Sequence, residues 1–298
     1  MTFAASEDNS TRSASAPAHL GFWTEAGDMT RLPVGLVNDE RLPTDADGLR
    51  EMLHGLVIHT DMLHLYGMSR QDDPPAEIHL RPVTEMLTAL REKADLPMIV
   101  TRPPQRRLQG SCRHFAVLLS ALLRARGTPS RVRAGFASYF EPGLWEDHWI
   151  VEYWNPTDER WQLADGELDP VEVDEYDITF DPGDLPDGAF LPGATAWRRY
   201  RRGDLDGDLF GFGNNRGSVL IAGAVIRDLA ALNKHEMLPW DYWGLLDEWD
   251  RGRLTVDPSY VDVIAEAVGR GEVAGIREVY RRPELAVPGD LSLVRADR

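Results

Sequence analysis

The 298-residue chain contains one cysteine, Cys112, placed after Gly110-Ser111 at the start of an apolar run. A thiol attacks a carbonyl well only as thiolate, a form favoured by a helix N-terminus or a neighbouring imidazolium. The first condition is met locally, because Cys112 opens a predicted helix that closes at Gly127 with Pro129 just beyond. First-turn amides and the helix dipole would stabilise negative sulfur, and the Cys112 amide could donate to the oxyanion of an attacked carbonyl. A structural cysteine buried at the start of a core helix would have the same local sequence.

A base and its orienting carboxylate can be sought by strand arithmetic, since residues opposite each other in an antiparallel pair share a face. The segments 148–154 and 160–165 are rich in aromatic and branched residues and read as strands. If Asn155-Pro156-Thr157-Asp158 forms a four-residue loop, Trp154 faces Glu159, Glu152 faces Trp161, Ile150 faces Leu163, and His148 falls opposite Asp165. A five-residue loop would put His148 and Asp165 on opposite faces, so the reading depends on the turn.

Around these residues the sequence predicts a helical N-terminal third. Apolar residues from Asp45 to about Tyr66 recur at helical spacing, and a second helix starts at Pro82 and runs towards Lys93. Residues 97–111 read as a loop. In the helix opened by Cys112, Arg113, Ser120 and Arg124 fall within about 40° on the wheel while the rest is mostly apolar, so that helix is expected to be largely buried. Val132, Ala134 and Phe136 alternate with Arg131 and Arg133 as a strand. Residues 166–216, dominated by Asp, Gly and Pro, read as surface loops, and a further helix is expected over Ser218–Leu232. Residues 1–18 read as a disordered leader, leaving 19–298 as a single domain.

These runs resemble the core of the transglutaminase-like superfamily. The similarity is carried by Gly110-Ser111-Cys112-Arg113-His114-Phe115-Ala116, Arg131-Val132-Arg133-Ala134-Gly135-Phe136, Asp147-His148-Trp149 and Arg160-Trp161-Gln162-Leu163-Ala164-Asp165. The resemblance implies a papain-like α+β fold, a helix packed on an antiparallel sheet, here with α-helical extensions at both ends. It implies Cys112 as nucleophile, His148 as base and Asp165 as the residue orienting the histidine, with no metal and no cofactor. The implied activity is cysteine-dependent acyl transfer through a thioester to an amine. Hydrolysis by the same triad and a non-catalytic binding module are the alternatives.

The remaining candidates carry less chemistry. Gln109 and Gln105 lie upstream of Cys112, where an oxyanion donor would sit, and Trp149, Trp240 and Trp243 are candidate pocket walls. The expected partners are an acyl donor (thioester, amide or peptide) and an amine or water acceptor. The basic cluster Arg198-Arg199-Tyr200-Arg201-Arg202 would suit an acidic carrier protein as donor. A net charge of −17 argues against nucleic-acid and anionic-membrane partners. A single cysteine rules out an intramolecular disulfide framework, and no signal peptide or spanning segment is evident, so a cytoplasmic location is expected. His54, His59 and His64 step by five residues, about 140° per step on a helix, and so do not converge on a metal.

Overall fold

The computed structural model describes residues 20–37, 39–69, 75–249 and 252–296. The expected leader lies outside the described residues.

Two short parallel strands set the approach to Cys112. The helix Ala46–His54 is capped by Asp45, whose side chain accepts from the Gly48 amide at 2.8 Å. It stops at Gly55, whose backbone lies so close to Thr101 that a Cβ there would stand 2.8 Å from Thr101 Oγ1. The chain continues as β1 (Val57–His59), which pairs in parallel with β2 (Leu108–Gly110). The single helix expected over 45–66 therefore breaks in two. Leu56, Val57 and Ile58 fit a helical face and a buried strand equally well by spacing, and the pairing with β2 decides for the strand. Part of the expected 97–111 loop is likewise β2. The second helix, Val83–Lys93, follows Pro82 as expected.

The main sheet is built around β3 (Ser130–Ala137) and β4 (Trp145–Asn155), antiparallel with Ala134 opposite Trp149 and Gly135 opposite His148. On the other side of β4 lies β5 (Arg160–Ala164). Two further strands come from the region expected to be loop. These are β6 (Phe190–Pro192), antiparallel to β3, and β7 (Phe210–Phe212), parallel to the start of β4, with β8 (Asn215–Arg216) beyond it. Trp197 and Phe210 from this same stretch are fully buried, at 0% exposure. Three-residue strands are too short to announce themselves by periodicity, so composition alone misreads them as surface. Mixed helices and sheet give the expected α+β class.

The Cys112–Ala125 helix packs on β3 and β4, and the Ser218–Leu232 helix packs on β3, with the bounds expected from sequence. The polar stripe on the Cys112 helix does not face water. Arg113 donates to the Glu236 carbonyl, Ser120 and Ser130 share a hydrogen bond of 3.0 Å, and Arg124 donates to the Ser130 carbonyl at 3.0 Å. The stripe thus ties the helix to β3 and to the segment after residue 232.

On β3, Arg133 grips Asp228 of the Ser218–Leu232 helix through two bonds of 2.9 and 2.7 Å and also reaches Glu152 at 2.5 Å. Removing one partner of a buried ion pair leaves an uncompensated charge. Asp228→Ala is therefore expected to lower the unfolding free energy by about 3–5 kcal/mol, read by urea denaturation. Among the described residues no helix is long and apolar enough to cross a membrane.

Candidate active site

Cys112 is the first residue of its helix, after Ser111 as N-cap. The Ser111 amide donates to His114 Nδ1 at 3.1 Å, so the imidazole satisfies a backbone donor at the helix start. Gly110 is required by this arrangement, because a Cβ there would stand 2.8 Å from the His114 side chain. His114 is thus a buried structural residue that fixes where Cys112 begins.

The hairpin carrying His148 and Asp165 has a different register from the expected one. Asn155 pairs with Arg160 and Trp154 with Trp161, so the four loop residues are 156–159 rather than 155–158. The cause is local. Asn155 Oδ1 accepts from the Thr157 and Asp158 amides at 2.9 and 3.3 Å, and Glu159 takes a left-handed φ of 50° to close the turn. The pairing slips by two residues, which keeps every side chain on its face. His148 therefore meets Asp165 diagonally, with Nε2 2.8 Å from Asp165 Oδ2. Continuing the observed register places residue 167, a glutamate, directly opposite His148.

Asp165 holds three hydrogen bonds. Besides the His148 contact, Tyr139 Oη donates to Oδ2 at 2.5 Å and the Glu167 amide donates to Oδ1 at 2.9 Å. Burial pushes its carboxyl up, but the His148 charge and these three donors outweigh it and hold the group below the usual carboxylate value. Asp165 is then an acceptor at neutral pH. It accepts a hydrogen bond from the Nε2 N–H and leaves Nδ1 as the basic nitrogen. Tyr139 and Phe140 also pack edge-on against the imidazole, at centroid distances of 6.0 and 4.9 Å.

The Cys112 sulfur, a His148 ring nitrogen and a Glu167 carboxyl oxygen all lie within 4.8 Å of one another, and all three residues are buried. The thiolate expected at rest is not favoured here. Burial, followed by the Glu167 and Asp147 carboxyls, pushes the Cys112 thiol well above its ordinary value, and the donated Trp149 amide offsets this only in part. The helix N-terminus is present as expected, but desolvation and the acidic surroundings outweigh it. The three donor atoms are close enough together to hold a cation.

Glu167 is not among the residues singled out by sequence, although a signal exists: Asp165, Glu167 and Asp169 alternate, and period two keeps Glu167 on the Asp165 face. Its carboxyl, like that of Glu172, is pushed well above the usual value by burial and neighbouring carboxylates. Such groups bind protons more tightly folded than unfolded. Their stabilising contribution is full below the unfolded value near about 4.3 and is lost as pH rises towards and through the folded one. Unfolding free energy is therefore expected to fall from about pH 5 upward, and Glu172→Gln to flatten the decline, as urea titrations across that range would show.

The other candidates separate clearly. Gln109 is buried in β2, three residues ahead of Cys112, with its Oε1 unsatisfied, whereas Gln105 is exposed on the 104–106 turn. Trp149 is buried in the same apolar cluster as Cys112. Trp243 belongs to the separate core around the Ser218–Leu232 helix and donates to the Leu285 carbonyl at 3.0 Å. Trp240 is half-buried and packs edge-on against His79 at 6.1 Å. In the basic cluster, Arg201 pairs with Asp262 at 3.0 Å and Arg202 with Asp204 at 2.9 Å, so half of its guanidinium groups are committed within the chain.

Residues 95–166 match the model of the transglutaminase-like superfamily, and that span takes in Cys112, His148 and Asp165. This segment is similar to a transglutaminase-like core. It begins before β2, runs through the Cys112 helix and the three strands after it, and ends one residue past Asp165. No curated protein matches the chain. Among solved structures, a proposed cysteine protease from Cytophaga hutchinsonii is similar at 15% identity and a TM-score of 0.20, over 57% of this chain and 49% of that one. The chain thus spans about half the length of that protein. In the matched segment the cysteine stands at the start of the central helix, which packs on the strand that carries His148.

Proposed function

We propose that the protein is a cysteine-dependent acyl-transfer enzyme that forms a thioester on Cys112 and passes the acyl group to an amine. The observation that carries this reading is the buried line of sulfur, imidazole and carboxylate, with His148 bonded to Asp165 at 2.8 Å and its ring within 4.8 Å of the Cys112 sulfur.

Burial and the neighbouring carboxyls disfavour the thiolate, so proton transfer to His148 accompanies attack. The sulfur bonds to the donor's carbonyl carbon as its proton passes to His148 Nδ1, and Asp165 stabilises the resulting imidazolium. The Trp149 amide already donates to the sulfur. The developing oxyanion is met by the Cys112 amide at the helix N-terminus, with Gln109 as a candidate second donor. His148 returns its proton to the leaving group, and the thioester remains. A site in which Cys112, His148 and Asp165 are 7%, 3% and 0% exposed limits competing water, which favours an amine acceptor.

The test is product analysis with a simple acyl thioester in the presence and absence of an alkylamine. Amide is expected as the main product when the amine is present. Acid alone, whatever the amine concentration, would show that the same triad serves hydrolysis.

A further inference from the structure

Glu167 has no part in the mechanism so far, yet its carboxyl shares the space of the Cys112 sulfur and the His148 ring. Its side chain is 3% exposed, with Oε1 4.0 Å from His59 Nε2. His59 Nδ1 accepts from the Asp61 amide at 3.2 Å, so its Nε2 carries the ring proton and faces Glu167. The other oxygen, Oε2, is sealed from solvent and has no hydrogen-bond partner in the protein. A buried polar atom left unsatisfied beside a nucleophile points to a donor that arrives with the substrate. The charges acting most strongly on Glu167 are the carboxyls of Glu172, Asp165, Asp61 and Asp169, a field that favours a cation.

Resting on the acyl-transfer reading above, we infer that Glu167 is the base that takes the first proton from a cationic primary amine, and so selects an alkylammonium acceptor over water. An ammonium must lose two protons to become an amide nitrogen, one before attack to free its lone pair and one after. His148 can carry only one of them.

As the ammonium enters, the Glu167 proton leaves to solvent and an ammonium–carboxylate pair forms. The carboxylate then takes one ammonium proton, regenerating neutral Glu167 and a neutral amine. The nitrogen bonds to the thioester carbonyl carbon and its second proton goes to His148. The C–S bond breaks, and the sulfur takes that proton back from His148. The sum is thioester plus ammonium giving amide, Cys112 thiol and one proton released to solvent. The burial that raises the proton affinity of Glu167 also makes its carboxylate basic enough for this step.

The experiment loads Cys112 from an acyl thioester and measures the amide-to-acid ratio for two acceptors at neutral pH. Ethylamine is protonated there, and methoxyamine is already neutral and needs to lose only one proton. With the ratio taken per acylated Cys112, so that any change in acylation rate drops out, Glu167→Gln should lose at least about tenfold of its amide-to-acid ratio with ethylamine and keep the ratio with methoxyamine. An unchanged ratio with ethylamine, or an equal loss with both amines, would overturn the assignment while leaving the thioester chemistry standing. No acyl group on Cys112 of the wild type would overturn the acyl-transfer reading and this inference with it. If the glutamine variant does not fold, Glu167→Met, which removes the carboxyl and suits an apolar site, is read by the same ratios and criteria.

Discussion

Cys112→Ser is expected to lower acyl transfer by about 10⁴-fold or more and to leave no thioester-linked adduct. The chain has a single thiol, so no other residue can supply the sulfur. A serine hydroxyl at the same helix start would keep the fold, since the N-cap contact between Ser111 and His114 is untouched. It holds its proton far more tightly than a thiol, however, and the carboxyls that already push the Cys112 thiol up would oppose an alkoxide still more. The check is turnover of a thioester donor together with intact mass. A serine variant of near-normal activity would mean that the sulfur is not the nucleophile.

Asp165→Asn is expected to have the second largest effect, about 10³–10⁴-fold on the acylation rate, with a change in stability too small to explain it. The carboxylate at 2.8 Å fixes the proton on His148 Nε2 and carries the negative charge that balances the imidazolium. An amide in its place can turn its NH₂ towards Nε2, which moves the ring proton to Nδ1 and removes the base from the sulfur. The Glu167 amide would still hold the oxygen at Oδ1, and Tyr139 Oη, which donates to the same Oδ2 as His148, would turn to accept from the new NH₂, so the position should keep its packing. The rate of Cys112 acylation, with a thermal melt alongside, separates the two effects. An equal loss of rate and of folded protein would make Asp165 a structural residue.

Much of this site is legible in the sequence because it is local or parity-controlled. Ser111 and Gly127 bound the Cys112 helix through cap chemistry that a sequence displays directly. The pairing of His148 with Asp165 survives a two-residue error in register because strand faces alternate with period two, and only an odd slip would have separated them. The slip itself is hidden in the Asn155 side chain, which competes for the turn amides and pulls the loop forward. Glu167 is within reach of the same parity argument once the strand face is extended past Asp165.

The parts that sequence does not display depend on distant partners. β1 lies in a segment whose spacing also suits a helix, and it becomes a strand because β2 is there to pair with it. β6 and β7 are three-residue strands inside a Gly- and Asp-rich stretch, ordered by β3 and β4 rather than by their own propensity. The upward push on the Cys112 thiol belongs to the same class, since it reflects how deeply the sulfur is buried and which carboxyls surround it.

The most direct test of the triad is the burst of Cys112 acylation in the wild type and in His148→Ala, followed by quenched-flow intact mass with a thioester donor. With His148 as the base, the wild type should carry one acyl group per chain, borne by Cys112, and the variant's burst should be slower by about 10³-fold or more. A burst of equal rate in both proteins would contradict the triad, because the sulfur would then be reacting without His148 as its base.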